Sequence, residues 1–375
     1  MKVTHIINGL EDGGAEHTLY KICKYDKTNK HTVISLKGRG KYFSLLKRLG
    51  VQVHCLNVNF FSVYKFFFLI KLLRSLKPDI VQTWLVHSDF FGGIAARLAG
   101  IENIIWNIRY TNFKIIKTKL TTILIIKILA ILSSLIPKFI IINSTRAKRI
   151  YEISGYNKYK LKLIQNGYDL SILKIQEYNK KNFKKKLGVK KQIPIIGNVS
   201  RYHPKKDHLN LLKALSLIRA KRKNFFCVLA GSKINKSNAR LMREIKNLDL
   251  SKHVKLLGKN DNILEVMNGL DIYVQSSSYG EGFPNVVAEA MACGTRCVAT
   301  NVGDASIIIG KTGWIVSPND SLKLSETIEE ALYEFKTKKW NSKCNEARLI
   351  IKENFEITKM VKLYNKLWHK AYRKN

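Results

Sequence analysis

Short apolar, β-branched runs alternate along this chain with longer stretches in which apolar residues recur every three or four positions. Lys2–Asn8 reads as a strand, followed by a glycine-rich turn (Gly9, Gly13, Gly14) and a helix from about Ala15. Asp79–Trp84, Asn103–Ile108 and Phe139–Asn143 read as further strands. A polar, lysine-rich stretch at 174–192 reads as a linker, and then the rhythm restarts. Pro194–Ser200, Phe225–Gly231, Val254–Gly258, Asp271–Ser277 and Cys297–Asn301 are strand-like, each followed by a loop and a helical pattern. Strands separated by helices form βαβ units, so the pattern predicts two α/β halves head to tail, each a doubly wound parallel sheet. No short-period repeat is present, which excludes a solenoid. Open sheets of this class take ligands at the carboxyl ends of their strands, and two facing domains imply a central cleft.

Two segments depart from the rhythm. Phe60–Lys77 reads as an amphipathic helix with Lys71, Arg74, Ser75 and Lys77 on one arc and Phe68, Leu69, Leu72, Leu73 and Leu76 opposite. Phe67 and Ile70 fall on the basic arc, a pattern suited to a membrane interface. Leu120–Pro137 is 18 residues long and interrupted by Lys127, whereas a span needs about 20 apolar residues, so a buried or interfacial helix is expected. The run Met1–Asn8 is too short for a signal peptide.

Composition sharpens this picture in one respect. The 375 residues are 46% hydrophobic, enough for full cores, but 66 Lys and Arg oppose 27 Asp and Glu, a net charge of +39. An anionic partner is therefore expected: nucleic acid, an anionic membrane face or phosphorylated ligands. Residues 27–78 hold eleven basic and no acidic residues, and 103–151 hold nine and none. Six cysteines lie far apart, and Cys293/Cys297 has no second pair or histidine to complete a zinc site, so reduced thiols are expected.

Among phosphate-binding signatures, no G-x-G-x-x-G follows the first strand. Ala305–Thr312 resembles a loosened Walker A pattern but is bulky where glycine is needed, and no D-x-D is present to hold a metal. Gly13-Gly14-Ala15-Glu16 places two glycines where a strand turns into a helix, so backbone N–H groups can meet an anion there. Gly197–His208 carries a guanidinium and an ammonium, Arg201 and Lys206, on one βα loop, a diphosphate clamp or a solvated basic loop. The sharpest constellation is Glu281-Gly282-Phe283-Pro284-Asn285 followed by Glu289. Pro284 fits the first helical position, and Glu289 falls two turns down among Ala288, Ala290, Met291 and Ala292, where a carboxylate needs a polar partner.

Ser276–Gly294 followed by Val298–Asp304 closely resembles the retaining glycosyltransferases of family 4, through its E-x7-E pair. The Arg201…Lys206 loop, the N-terminal Gly-Gly-Ala-Glu, Asn166-Gly167 and Gly313–Val316 occur in that family's order. The resemblance implies a GT-B fold of two Rossmann-like domains facing a central cleft. Residues 1–173 would form an acceptor-binding, membrane-facing domain and 193–355 a nucleotide-sugar-binding domain, with 356–375 a helix crossing back to the first. It implies that Arg201 and Lys206 hold the donor diphosphate, with the amide of Gly14 (beside Gly13) helping from across the cleft. Glu289 would accept from the ribose hydroxyls, and Glu281 with Gly282, Phe283, Pro284 and Asn285 would position the sugar. Many relatives carry a histidine where this chain has Ile108-Arg109-Tyr110; His87 or Arg109 would then contribute to catalysis or meet an acceptor phosphate.

The expected reaction moves a sugar from a nucleotide-diphosphate donor, UDP favoured, with retention and without metal or other cofactor. The expected acceptor is a polyprenyl-diphosphate-linked or other lipid-linked glycan in surface polysaccharide, O-antigen or glycan assembly. Phe60, Phe61, Phe66, Phe67 and Phe68 beside Lys71 and Arg74 would hold the enzyme peripherally on the inner, cytoplasmic face of an anionic membrane. A nucleotide-sugar epimerase, a phosphorylase, a transferase to a free small acceptor and a catalytically inactive binding protein remain as alternatives. No recognisable module supports nucleic-acid binding.

Overall fold

The computed structural model describes residues 1–58, 63–109, 120–221, 224–260 and 262–373. The chain forms two compact units, Met1–Gly167 with Ile357–Asn375, and Tyr168–Glu356. In the first, strands β1 (Lys2–Ile7), β2 (Lys30–Ser35), β3 (Gln52–Cys55), β4 (Ile80–Trp84), β5 (Ile104–Ile108), β6 (Phe139–Ile142) and β7 (Leu161–Leu163) form one sheet. Their order is β3-β2-β1-β4-β5-β6-β7 and every pairing is parallel. All residues of β4 and β5 are buried, as expected of parallel strands covered on both faces. Helices Gly14–Tyr25, Lys41–Arg48 and Ile357–Tyr372 cover one face, and Val63–Leu76, Val86–Leu98 and Leu120–Leu132 the other.

Strands β2 and β3 escape the sequence pattern because β2 opens on Lys30-His31-Thr32. His31 and Thr32 are nevertheless buried, and a polar relay makes that possible for His31. Trp84 Nε1 can only donate, so the His5 Nδ1 that it meets at 3.2 Å is an acceptor. His5 therefore carries its proton on Nε2 and donates to His31 Nδ1 at 3.0 Å, leaving His31 Nε2 to donate to Asp26 at 3.1 Å. The last helix docks beside this relay through Met360, Tyr364, Leu367, Trp368 and Ala371, a helical stripe of buried residues. Trp368 Nε1 donates to Gln82 Oε1 at 2.7 Å, and the Tyr364 hydroxyl accepts from Asn107 at 2.8 Å.

The second unit repeats the architecture. Strands β8 (Ile195–Val199), β9 (Phe226–Ala230), β10 (Val254–Leu256), β11 (Ile272–Gln275), β12 (Arg296–Thr300) and β13 (Trp314–Val316) are ordered β10-β9-β8-β11-β12-β13, all parallel. In both sheets the order reverses beside the first strand, between β1 and β4 and between β8 and β11, which is where doubly wound sheets bind ligands.

Three expectations need correction. The 174–192 stretch is not a linker: Glu177–Leu187 is a helix of the second unit, whose first residue is Tyr168 rather than a position after 173. That helix buries little besides Phe183 and Lys184, so its sequence reads as polar. Lys184 Nζ is satisfied by Asp271 at 3.0 Å and by the carbonyls of Lys191 and Ile193 at 2.9 and 2.8 Å. In Val63–Leu76 the buried face is Leu69, Ile70 and Leu73, so Ile70 leaves the basic arc and Phe68, at 52% exposure, leaves the core face. Phe60, Phe61 and Tyr110 lie outside the described residues. Leu120–Leu132 has 13 residues, about 20 Å of helix, and among the described residues no helix is long and apolar enough to cross a membrane.

Asp89 provides a pH signature. It is fully buried on helix Val86–Leu98, Thr83 Oγ1 donates to its Oδ1 at 2.5 Å, and its Oδ2 has no hydrogen-bond partner. Burial raises its pKa from 3.8 to about 7, against the Thr83 hydrogen bond. A raised folded pKa means that stability is fully present below 3.8 and declines as pH rises towards 7. Asp89→Asn should therefore gain thermal stability relative to the natural chain as pH rises from about 4 to 7, with no further gain above. A difference in Tm that is flat with pH would contradict a protonated Asp89.

Candidate functional site

The loops after β8, β11 and β12 leave the carboxyl end of the second sheet and build the site. After β8 the backbone is held by Ser200 N–H to Ala230 O at 2.9 Å and Tyr202 N–H to Ser232 O at 2.9 Å. Pro204–Lys206 then forms a single 3₁₀ turn, and Asp207 caps helix His208–Ala220 by accepting from Asn210 N at 3.2 Å. This turn is tied to the β11 loop: Ser276 Oγ donates to Lys206 O at 2.9 Å, and Ser278 N–H to Lys205 O at 2.8 Å. Both lysines therefore have fixed backbones, while Arg201 is exposed at the loop's start.

The Glu281 carboxylate is the meeting point. Lys206 Nζ lies 2.6 Å from its Oε1, and Ser277 Oγ donates to the same oxygen at 2.9 Å. Ser277 is itself held, its carbonyl accepting from Thr300 Oγ1 at 2.6 Å. Burial pushes the Glu281 pKa up, but the charges of Lys206 and Lys205 and the hydrogen bonds from Lys206 and Ser277 outweigh it and hold it below its ordinary value. Burial lowers the Lys205 pKa, partly opposed by Glu281. His208 is buried with Nε2 3.1 Å from Ser200 Oγ, and burial, aided by Lys206, lowers its pKa to about 4. It is a neutral support beneath the loop.

The β12 loop closes on the far side. Gly303 has φ +67°, and a Cβ there would collide with the carbonyl of Gly282 and stand 2.8 Å from that of Glu281. Asp304 N–H donates to Gly282 O at 2.8 Å. Helix Asn285–Ala292 starts one residue later than the sequence suggested, with Pro284 as its N-cap at ψ 93° and no side chain capping it. Phe283 is a core residue, stacked with Tyr168 and edge-on to Phe355, and Asn285 Oδ1 accepts from Tyr168 OH at 2.7 Å. Their side chains brace the loop, which leaves backbone groups to meet a ligand. Glu289 is half-buried on the same helix.

In the first unit, Gly13 is the N-cap of Gly14–Tyr25, and the Glu16 carboxylate folds back against it. Burial raises the Glu16 pKa, opposed by its own backbone amide and by Arg109. Arg109 donates to Asn107 (3.2 Å), Thr18 (3.1 Å), Asn166 (2.6 Å) and Tyr364 (3.1 Å) and lies over the Trp84 ring, knitting four segments together. His87 is exposed in the first turn of Val86–Leu98, directly after Leu85, whose φ of +74° is strained for a leucine.

The structure thus brings together Lys206, Glu281 and Gly282 with Lys205, Ser276, Ser277, Thr300 and Gly303, which sequence reasoning did not select as site residues. The serine run Ser276-Ser277-Ser278 after a strand was the available signal. Metal-ligand chemistry is confined, among the described residues, to His5, Cys23 and His31. There the two facing imidazole nitrogens already share one hydrogen bond, with tautomers fixed by Trp84 and Asp26, so the set does not fit an ion.

Residues 179–347, within the second unit, match the family model described as glycosyl transferases group 1. That stretch of the second unit is similar to the group 1 glycosyl transferases. An Escherichia coli UDP-Gal:alpha-D-GlcNAc-diphosphoundecaprenol alpha-1,3-galactosyltransferase is 28% identical over 263 residues, 67% of this chain and 66% of that protein. A Campylobacter jejuni N,N'-diacetylbacillosaminyl-diphospho-undecaprenol alpha-1,3-N-acetylgalactosaminyltransferase is 28% identical over 311 residues, 79% of this chain and 80% of that protein. Anabaena HepE in complex with UDP has a TM-score of 0.87 at 21% identity, covering 99% of this chain and 100% of that chain. The fold is GT-B. Lys206, Glu281 and Glu289 all lie inside the matched residues.

Two outcomes test this geometry. Lys206→Ala should lower Tm, because Glu281 loses its counter-ion while half-buried, and Glu281→Gln in that background should restore most of the loss. Additive losses would show that the pair is uncoupled. Gly303→Ala, strained by φ and by the Gly282 carbonyl, should cost about 1–3 kcal/mol in chemical denaturation, and a neutral result would mean that the 281–282 loop yields freely.

Proposed function

We propose that the chain is a retaining, metal-independent glycosyltransferase. It would move a sugar from a nucleotide-diphosphate donor, with UDP favoured, to a lipid-diphosphate-linked glycan in surface polysaccharide assembly. The observation that carries this reading is the Lys206–Glu281 pair at the switch point of the second sheet, inside the matched domain. The E. coli and C. jejuni relatives, both named for transfer to diphosphoundecaprenol-linked sugars, support the acceptor class.

In this reading the diphosphate takes the Lys206 ammonium and the exposed Arg201 guanidinium, and negative charge growing on the departing phosphate is met by those two cations. Glu281, released from Lys206, accepts from sugar hydroxyls, and the backbone after it lines the donor. Glu289 accepts from the ribose. The leaving phosphate oxygen takes the acceptor proton, so no protein base is required. Arg109, already committed to four protein acceptors, acts as a positioning residue, and His87 faces the acceptor.

A peripheral position on the inner face of an anionic membrane belongs to the same reading. On Val63–Leu76, Val63, Tyr64, Phe67 and Phe68 are 52–69% exposed beside Lys71 and Arg74. Leu124 and Ile131 are exposed on Leu120–Leu132, which covers the same face of the sheet. Aromatic rings interleaved with basic residues suit a lipid interface.

The deciding experiment incubates the enzyme with UDP-sugars and a polyprenyl-diphosphate sugar and reads the product's anomeric configuration by NMR. Retention is expected, and inversion, or donor turnover to an epimer without transfer, overturns the reading. Arg201→Ala should lower transfer roughly 10²–10³-fold with Tm unchanged, because the side chain is exposed. Phe67→Ser with Lys71→Glu should abolish co-sedimentation with anionic vesicles at low salt; retained binding would remove this face from the membrane contact.

A further inference from the structure

The second unit has a large cavity at the end of its sheet opposite the candidate site. Its volume is about 710 Å³, within the range of small-molecule pockets. It opens around Asp271, the residue before β11, whereas Glu281 follows the same strand, so the two sites are separated by the length of β11, about 13 Å. The floor is apolar, with Leu270, Phe335 and Trp340. The wall is basic: Lys180, Lys181, Lys184 and Lys185 stand on one helix at i, i+1, i+4 and i+5, with Lys191 and Lys338 completing the rim.

Charge balance makes this cavity unusual. Six lysines line it against one carboxylate, Asp271, which is fully buried and shared by Lys180 at 2.6 Å and Lys184 at 3.0 Å. Asp271 also accepts from Ile195 N–H at 2.8 Å, so the carboxylate is consumed by the wall itself. Lys181, Lys185, Lys191 and Lys338 are exposed to the cavity mouth with no lining acid to balance them. A concave basic wall over a low-dielectric floor concentrates anions.

We infer that this cavity is a second binding site, for a phosphorylated organic anion whose ring or aliphatic part rests on Trp340 and Phe335 while its phosphates meet Lys181, Lys185 and Lys338. It is independent of the proposed transferase site, so it stands or falls separately. The two site chemistries differ. The β8–β11 loops pair one lysine with a glutamate, whereas this wall offers several unbalanced lysines and no free carboxylate.

The test is lysine footprinting by acetylation and mass spectrometry on the full chain, with ADP and inorganic pyrophosphate as probes. ADP should slow acetylation of Lys181, Lys185 and Lys338 several-fold, and pyrophosphate less, because it lacks the ring. Cys344, which lines the same cavity, should be shielded from alkylation by ADP. Both effects should persist in Lys206→Ala, which silences the donor site, and vanish in Lys181→Glu/Lys185→Glu, where apparent affinity should fall at least about tenfold. Protection that disappears in Lys206→Ala, that is absent with both probes, or that appears only with phosphatidylglycerol vesicles would overturn the proposal.

Discussion

Two-sided burial of parallel strands is the constraint on which this molecule depends. A strand covered by helices on both faces has no solvent-facing side chains along its length, so chemistry can live only where strands end. In the second unit, β8, β11 and β12 are buried throughout, and the polar groups of the candidate site lie at or beyond their carboxyl ends, in the loops that leave them, on Thr300 at the end of β12 and on the helix that carries Glu289. The same rule places the basic cavity, for Asp271 and Thr295 are the residues immediately before β11 and β12. One sheet thus carries two polar regions, one at each end, isolated by an apolar middle.

Two groups of polar side chains that enter the layers of the first unit are bound into connected sets. The Trp84–His5–His31–Asp26 relay fixes every proton by the one residue that can only donate. Arg109 spends its donors on four segments and so couples β5 to helix Gly14–Tyr25, to Asn166 and to the last helix. Asp89 is a contrasting case: one of its oxygens is unpaired, and burial raises its pKa to about 7 and so favours the protonated form.

The sequence was most legible where the periodicity and the chemistry coincide. The central strands of both sheets and the loops bearing Arg201, Lys206 and Glu281 are apolar runs followed by glycine, proline and charge. It was least legible where burial is achieved by partners rather than by apolarity. His31 hides β2, and Lys184, buried by Asp271 and two carbonyls, disguises a core helix as a linker. The exposed Phe68 and buried Ile70 mark the limit of an ideal 100° wheel: the neighbouring helix Val86–Leu98, through Phe90, Phe91 and Ile94, decides which arc is covered. Family resemblance named Glu281 and Lys206 separately, but their contact, and the serines and Gly303 that hold it, required the fold.

That contact bears on how such a site keeps its charges ready. An isolated carboxylate this enclosed would be driven towards its neutral form, and an isolated lysine beside Lys205 and Arg201 would be repelled. Paired with Lys206 at 2.6 Å, the Glu281 carboxylate is held in its ionised form, with Ser277 adding a hydrogen bond to the anion. In the proposed reaction an arriving diphosphate is a stronger partner for the ammonium than one carboxylate, because it offers more oxygens and more charge. The carboxylate it displaces does not revert to a bare ion, since Ser277 remains and the sugar's hydroxyls arrive with the same ligand. Exchange of partners, rather than creation of new charges, then accompanies binding, and the desolvation cost of both ions has already been met when the chain folded. A loop held by Ser276, Ser278, Thr300 and Gly303 keeps that exchange local, because the backbone carrying both residues is tied at each end.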